Sequence, residues 1–314
     1  MRLALVSLVL CLFGAVGLRA QSLDEIFGEL IRQNAEGVLA LYGVSALPDD
    51  SASTLVLDTG QTDREYDFRA SQLGGGFAVA QDFPLYLEGY VAYNRYDPVL
   101  FLSDSGTTSE IPLKWTTVSA TGGIGWKFSM GEYWSFRPLV HFSLGRVQSD
   151  ASIGATLIAD RLGLDTSFID GGGITVGGLG GSAALAFNRR WPSDHEFDAQ
   201  LRYSYLELRP IGGDKDILAQ SVAETTAFWT RYRWPTGAQL WNRPVRLVVD
   251  GSASYLSGDQ GQALGTDWLA RLGVGGEVDF SETWVPWVTT TRLMVRGSVG
   301  EDLRGFSVGL GVSF

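Results

Sequence analysis

From about residue 51 to the end of the chain, apolar and polar side chains alternate along one segment after another. In segment 197–205 the odd positions are Phe, Ala, Leu, Tyr and Tyr, whereas the even positions between them are Asp, Gln, Arg and Ser. A period of two indicates a β-strand with one apolar face. Twelve such segments are predicted, near 51–58, 65–80, 83–97, 113–128, 133–148, 173–188, 195–208, 217–234, 244–257, 267–281, 287–299 and 303–314.

The length of these segments restricts the fold further. Strands of soluble sandwiches usually have about five or six residues, whereas a tilted strand that crosses a membrane needs about nine to eleven. The chain is 45% hydrophobic and only 19% charged, yet after the first twenty residues it has no apolar run long enough for a spanning helix. The sequence therefore predicts an all-β fold, a transmembrane antiparallel up-and-down β-barrel of about 12 strands with a short N-terminal helix.

The predicted connections alternate between long and short. Tyr96–Pro112 and Ser149–Gly172 are long, whereas Ser129–Glu132 and Arg189–Asp194 are short; the nine-residue stretch Pro235–Arg243 departs from the rule. Long extracellular loops and short periplasmic turns are typical of outer-membrane barrels. An even strand number places both barrel ends on the periplasmic side.

Aromatic residues support a membrane location. Seven of the ten tryptophans fall at predicted strand ends and three in predicted periplasmic turns, as expected for interfacial girdles. Those at strand ends are Trp115, Trp126, Trp134, Trp229, Trp234, Trp268 and Trp287, and those in turns are Trp191, Trp241 and Trp284.

The last predicted strand carries an apolar row that ends on an aromatic residue. The row consists of Phe306, Val308, Leu310, Val312 and Phe314. An edge strand this apolar would promote aggregation in a soluble protein. We interpret the row as the C-terminal assembly signal that barrel-assembly machinery reads.

The N-terminus has the layout of a signal peptide. Arg2 precedes the apolar stretch Leu3–Val16, and Ala20 offers a small residue at a cleavage position. A membrane anchor is the alternative, but the apolar stretch is short for one. Residues 1–20 are thus predicted to be a signal peptide that is cleaved on export through the inner membrane, and the mature chain is predicted to reside in the outer membrane. The only cysteine, Cys11, lies in this segment, so no disulfide or thiolate chemistry is expected in the mature chain.

Residues 21–50 form a predicted helical segment between the signal peptide and the barrel at 51–314. Leu23–Tyr42 has apolar residues at helical spacing. Ser22 and Glu25 form a predicted capping box at its start. This helix is a candidate plug for the lumen.

Charged side chains project by strand parity to the face opposite the lipid. The predicted lumen-lining residues are Glu88, Arg137, His141, Asp198, Arg202, Asp250, Arg271, Glu277, Asp279, Arg292 and Arg296. Buried charges need partners, so ion pairs that rigidify the barrel are the first interpretation. A polar pore wall and a docking site for the N-terminal helix are the functional alternatives.

Catalytic, cofactor and metal sites are not predicted. His141 with Ser143 on the same strand face is the only local hint of a nucleophile and base, and we favour the interpretation that both are ordinary lumen residues. The second histidine, His195, lies at a predicted turn between Asp194 and Glu196, and neither histidine has a second one at ligand spacing. The net charge of −11 and the lack of a Lys/Arg run argue against nucleic-acid binding.

Three stretches resemble the solitary outer-membrane autotransporter-like β-barrel family: 85–90 with 95–98, 121–126, and Arg137-Pro138. The resemblance covers nearly the whole mature chain. It implies a twelve-stranded, translocator-like barrel, and only about thirty residues separate Ala20 from the first predicted strand, too few for a passenger domain. It also implies that the N-terminal helix occupies the lumen.

Three functions are left open by the sequence. The first is a non-enzymatic, autotransporter-like barrel that is translocator-like or a plugged, porin-like pore. The others are a barrel enzyme acting on lipid or lipopolysaccharide, and a surface adhesin or receptor using the two long loops. Expected partners are outer-membrane lipid and lipopolysaccharide, the barrel-assembly machinery and periplasmic chaperones, with the barrel itself a monomer.

Overall fold

The computed structural model describes residues 37–47, 54–59, 67–80, 83–97, 99–104, 107–151, 173–212, 220–280, 289–301 and 303–313. The predicted signal peptide and the capping box at Ser22 and Glu25 lie outside these residues. None of the described helices is long and apolar enough to cross a membrane.

The described residues form fourteen strands and two helical segments. Residues 37–46 are helical, and we call this segment α1; α2 is Asp259–Leu264. The strands are β1 Thr54–Thr59, β2 Asp67–Ala78, β3 Leu85–Asp97, β4 Val99–Asp104, β5 Thr107–Trp126, β6 Phe128–Met130, β7 Trp134–Ala151, β8 Gly173–Arg190, β9 Glu196–Gly212, β10 Ser221–Leu240, β11 Arg243–Leu256, β12 Trp268–Asp279, β13 Thr290–Val299 and β14 Leu303–Ser313.

Twelve of these strands pair antiparallel in a ring that follows the chain order. The ring runs from β1 through β2, β3, β5 and β7 to β14, with β5 paired to β7. It closes where β1 pairs with β14, with Leu55 opposite Ser307. All twelve predicted strands are therefore confirmed, and closure leaves the ring without a free edge.

The connection between β10 and β11 differs from the prediction of a nine-residue loop. The strands continue past Pro235 through a register shift between Pro235 and Gln239. They turn at Trp241 and Asn242, whose φ values are 53° and 60°. Two left-handed residues form the hairpin turn that matches the right-handed strand twist. The predicted loop was wrong because Pro and Gly mark a bulge here, and the short-turn rule holds at this position as well.

The connection Tyr96–Pro112 is long, as predicted, but most of it is a hairpin that was not predicted. Val99 pairs with Pro112 and Asp104 with Thr107, so β4 and the first part of β5 form a two-stranded hairpin outside the ring. The short strand β6 pairs with β7 at the opposite end. The connection between β11 and β12 contains α2.

The outer surface of the ring is apolar. Leu272 is 70% exposed, and the outward side chains of β3, β5, β7, β9, β13 and β14 are likewise exposed apolar groups. At the end with the short turns, aromatic side chains contact one another, as in the pair Trp134 and Phe187 at 4.9 Å and the pair Tyr232 and Trp234 at 5.0 Å. An apolar band with an aromatic border is the exterior of a membrane barrel.

Two of the tryptophans assigned to the girdle point inward instead. Trp115 is 2% exposed, and Trp229 lies under the guanidinium of Arg231. Their positions on the strands suited a girdle, but residue parity places them on the inner face.

Candidate functional site

The lumen near the loop ends of the strands is lined by apolar side chains, which we call the apolar collar. The collar contains Phe68, Trp115, Val147, Ile174, Val176, Leu206, Leu208, Leu256, Leu269 and Leu303. Outer-membrane barrels usually have polar interiors. An apolar inner surface of this size therefore needs an apolar occupant to cover it.

Helix α1 is that occupant. Leu39, Leu41 and Tyr42 are each 2% exposed or less, as the collar surrounds the helix. Its sequence, with Val, Leu, Ala, Leu and Tyr in succession from Val38, is apolar on all sides. A helix that is apolar all round is one that becomes buried. The prediction of an amphipathic helix ending at Tyr42 is corrected for the described part, which continues to residue 46.

Polar contacts fix the position of α1 within the collar. The side-chain amide of Asn94 donates to the hydroxyl of Ser45 at 2.7 Å. The amide of Gln72 donates to the carbonyl oxygens of Ser45 and Leu47 at 2.7 and 2.8 Å. These bonds satisfy carbonyls that the last helical turn leaves without partners. On another side the Tyr42 hydroxyl bonds Ser143 at 2.8 Å.

Helix α2 packs beside α1 at the loop end. Leu264 is 1% exposed and belongs to the same apolar cluster as Leu41. Gln260 is fully buried; its side chain accepts from the backbone N–H of Glu224 at 3.0 Å and donates to the Glu224 carbonyl at 2.8 Å. The loop between β11 and β12 is thereby tied to β10.

Next to the apolar layer lies a first polar cluster, built around Glu88. The two terminal guanidinium nitrogens of Arg202 contact the Glu88 carboxylate, Nη2 at 2.5 Å and Nη1 at 3.2 Å. His141 Nδ1 lies 3.4 Å from the same carboxylate, and His141 Nε2 is 2.8 Å from the Ser182 hydroxyl. Arg202 also donates to that hydroxyl at 3.0 Å. The cluster joins β3, β7, β8 and β9 across the lumen.

Glycine on β5 makes the contact between Glu88 and His141 possible. In the strand register Gly123 lies between these two residues. A Cβ atom at Gly123 would lie 2.6 Å from Glu88 Cγ and 2.8 Å from His141 Nδ1, closer than van der Waals contact allows.

We expect Gly123→Ala to destabilise the barrel by about 1–3 kcal/mol, the usual cost of overpacking. The neighbouring Gly122→Ala is a matched control, because a Cβ there meets no atom within 4 Å. Urea unfolding in detergent micelles measures both variants. Equal effects would show that the lumen cluster does not need the glycine.

A second polar network lies toward the short-turn end, between β9 and β13. Arg233 contacts Asp198 at 2.5 Å, Glu196 at 3.2 Å and Glu277 at 3.3 Å. The remaining members are Arg231, Arg246, Asp250, Arg292 and Arg296. Arg296 donates two hydrogen bonds to the Asp250 carboxylate, at 2.9 and 2.7 Å. In the strand register Gly273 lies between these two residues.

The remaining predicted lumen residues have other surroundings. Arg137 donates to the Tyr86 hydroxyl at 2.9 Å and to Gln200, and its guanidinium lies over the Tyr86 ring. Arg271 and Asp279 are half-buried on the inner face of β12. In the predicted assembly signal, Phe306, Val308 and Leu310 face outward with exposures of 60%, 46% and 58%. The side chains of Val312 and Phe314 lie outside the described residues.

His141 and Ser143, the local hint of a nucleophile and base, have different hydrogen-bond partners. Ser143 bonds Tyr42 and Thr121, whereas His141 bonds Ser182 on the next strand. Parity identified the correct face but not the neighbour. His195 lies at the short-turn end, where it contacts the Tyr232 hydroxyl at 2.8 Å. Among the described residues no three His, Cys, Asp or Glu side chains gather as a metal site.

Comparisons with known proteins find similarity at the level of structure. No protein-family model and no curated protein matches the sequence. The β-domain of the Bordetella autotransporter BrkA is 12% identical, with 84% of this chain and 97% of that chain aligned at a TM-score of 0.47. The translocator domain of NalP from Neisseria meningitidis is 13% identical, with 93% and 98% aligned at 0.48. The transport unit of AIDA-I from Escherichia coli is 12% identical, with 89% and 98% aligned at 0.46.

The closed ring, the apolar exterior and the polar clusters in the lumen are observed in this chain itself and do not depend on these comparisons. The chain is a closed antiparallel β-barrel of the transmembrane type, with an apolar exterior and a helix inside its lumen.

Proposed function

We propose that this protein is a non-enzymatic, autotransporter-like barrel that acts as a plugged pore, with α1 as its resident plug. The observation that carries the proposal is the burial of α1 on all sides: Leu39, Leu41 and Tyr42 are 2%, 1% and 0% exposed. A segment that only passes through the barrel does not need side chains that pack this closely against the lumen residues. Burial of each large apolar side chain contributes about 1.5–3 kcal/mol, which favours permanent residence.

Planar-bilayer conductance of the refolded chain tests the plug. We expect the intact barrel to be silent and a variant lacking residues 37–47 to give steady ohmic steps. Heat-modifiable migration in gels checks that each variant is folded. Steady steps from the intact barrel, or silence from a folded deletion variant, would contradict the proposal.

A disulfide lock separates plug movement from loss of folding. A Cβ at Gly43 would lie 2.6 Å from the Ala223 Cβ, so a small shift reaches the 3.5–4.5 Å or so of a disulfide. In a Cys11→Ser background, the oxidised Gly43→Cys/Ala223→Cys variant should stay silent in urea that opens the intact barrel. Reduction should restore the steps, and the two single-cysteine variants serve as controls.

A serine hydrolase is the second candidate, because Ser182, His141 and Glu88 form a chain of contacts that resembles a nucleophile, a base and an orienting acid. Two observations favour the structural role instead. Arg202 donates to the Ser182 hydroxyl and holds Glu88 with two hydrogen bonds. The three side chains are also buried, with Ser182 8% exposed, whereas a nucleophile needs space for its substrate.

Labelling with a fluorophosphonate probe distinguishes the two candidates. We expect no covalent label on the folded wild-type barrel. A label that disappears in both Ser182→Ala and His141→Ala would establish the hydrolase and refute the non-enzymatic assignment.

A further inference from the structure

Exposed basic side chains gather on one side of the outer surface, at the loop end of the barrel. Arg69 on β2, Lys114 on β5 and Arg304 on β14 are exposed, and the side chain of Arg95 on β3 is 41% exposed. Each of the four has a buried neighbour along its strand, so all four side chains lie on the outer face. We call these residues the basic patch, which contrasts with the net charge of −11 of the whole chain.

The strand register places the members of the basic patch on neighbouring strands. Arg69 lies directly opposite Arg95 in the pairing of β2 with β3. Lys114 is two residues from Thr116, the partner of Arg95 on β5. Arg304 is two strands from Arg69, because β14 and β2 both pair with β1. Like charges directly opposite one another destabilise a sheet, so an anion bound between Arg69 and Arg95 would relieve their repulsion.

The basic patch borders the apolar band of the barrel exterior. On each of its four strands an exposed apolar side chain lies two or four residues further toward the short-turn end, namely Leu73, Val91, Val118 and Phe306. The loop end faces the cell exterior in barrels of this class. Basic side chains next to a lipid-facing apolar surface lie at the level of the lipid head groups, where they attract anionic lipid.

The opposite side of the ring differs. Among the described residues, the outward side chains nearest the loop end on β11, β12 and β13 are Tyr255, Trp268 and Val299, all of them exposed and none of them basic. On β9, Arg209 is paired with Glu207 of its own strand. The basic patch is therefore a feature of one side of the barrel and not of its whole rim.

Carboxylates adjoin the basic patch on its loop side. The Arg95 guanidinium contacts Asp97 at 2.9 Å, and the Asp97 side chain is 30% exposed. Asp58 and Asp67 lie opposite one another in the register of β1 and β2, and Asp67 lies opposite Asp97. Exposed ion pairs contribute little to stability, so the contact with Asp97 does not prevent Arg95 from binding a phosphate.

We infer that the basic patch binds the phosphorylated head group of an outer-leaflet glycolipid of the lipopolysaccharide type. Guanidinium groups donate pairs of parallel N–H bonds that match the oxygens of a phosphate, and the lysine adds a point charge. Neighbouring strands are about 4.8 Å apart, so the patch extends over about 19 Å from β14 to β5 and can contact more than one phosphate. The acyl chains of the same lipid lie against the apolar band. This inference does not depend on whether α1 plugs the pore.

Titration of the refolded full chain with diphosphoryl lipid A tests the patch, in detergent micelles at constant salt, with native mass spectrometry to count the bound lipid. EDTA removes divalent cations, which would otherwise link the nearby aspartates to phosphate. We expect an affinity at least tenfold lower in Arg69→Gln/Arg95→Gln, since each basic residue near an anionic lipid surface contributes roughly fivefold. Arg190→Gln/Arg209→Gln removes two exposed arginines outside the patch and should bind as the wild type does.

Lipid A without its phosphates separates head-group recognition from apolar contact. The wild-type barrel should bind this lipid at least tenfold more weakly than the diphosphoryl form, and Arg69→Gln/Arg95→Gln should lose most of that difference. If that variant does not refold, Lys114→Gln/Arg304→Gln should lower the affinity for diphosphoryl lipid A at least fivefold. The inference is overturned if the wild type binds both forms of lipid A equally or binds neither. It is also overturned if the folded patch variants bind diphosphoryl lipid A as tightly as the wild type does.

Discussion

Replacing Arg233 by Gln is expected to lower the free energy of unfolding by about 3–5 kcal/mol, the usual cost of removing one partner from a buried ion pair. This arginine contacts Asp198, Glu196 and Glu277 at 2.5, 3.2 and 3.3 Å. Because Glu277 is fully buried, its negative charge loses one compensating arginine in this variant, and water cannot reach the carboxylate to solvate it instead. Urea titration followed by tryptophan fluorescence, with barrels in detergent micelles, measures the change.

Two other arginines provide controls for that experiment. Arg231→Gln, two residues away on the same face, should be neutral or stabilising, because Asp250 keeps its two hydrogen bonds from Arg296. Arg190→Gln should cost less than about 1 kcal/mol, as is usual for exposed ion pairs. A similar loss in all three variants would mean that total charge, and not the individual ion pairs, sets the stability.

Replacing Leu41 by Asp is expected to expel the plug while the barrel stays folded. Leu41 is 1% exposed and packs in the collar with Phe68, Leu256 and Leu303. The change removes about 1.5–3 kcal/mol of apolar burial. It also requires about 2–7 kcal/mol to bury a polar group without a partner. The ring itself does not depend on α1, because its backbone hydrogen bonds run between strands.

The measurement for Leu41→Asp is single-channel conductance, which should equal that of the variant lacking residues 37–47. Gly37→Asp is the matched control on the same helix, since a Cβ at Gly37 meets no atom within 4 Å; it should remain silent. A silent, folded Leu41→Asp barrel would contradict the role of the collar as the seal.

The strands could be predicted from the sequence because lipid imposes a period of two on every segment of the ring. The turn at Trp241 and Asn242 could not be predicted, because Pro235 and Gly237 indicate a loop in the sequence. The same two residues are also compatible with a bulge, after which the pairing of β10 and β11 continues. The β4–β5 hairpin was also missed. It lies outside the ring, where no single lipid-facing side demands alternation.

The inner surface was only partly predictable for a different reason. Parity assigns a side chain to the lumen, but the stagger between strands determines which lumen residues meet. This is why strand parity could place His141 and Ser143 on one face but could not show that His141 bonds Ser182 on the next strand. The all-round burial of α1 could not be foreseen either, since the sequence of a helix does not reveal that its container has an apolar wall.

The contact between Glu88 and Arg202 has a mechanical consequence. The two residues sit on β3 and β9, with β5, β7 and β8 between them around the ring. An ion pair across the lumen fixes the distance between these two strands and so resists flattening of the ring. We therefore expect the lumen to keep its width under lateral pressure from the bilayer, and any increase in the distance between β3 and β9 to require that this ion pair breaks.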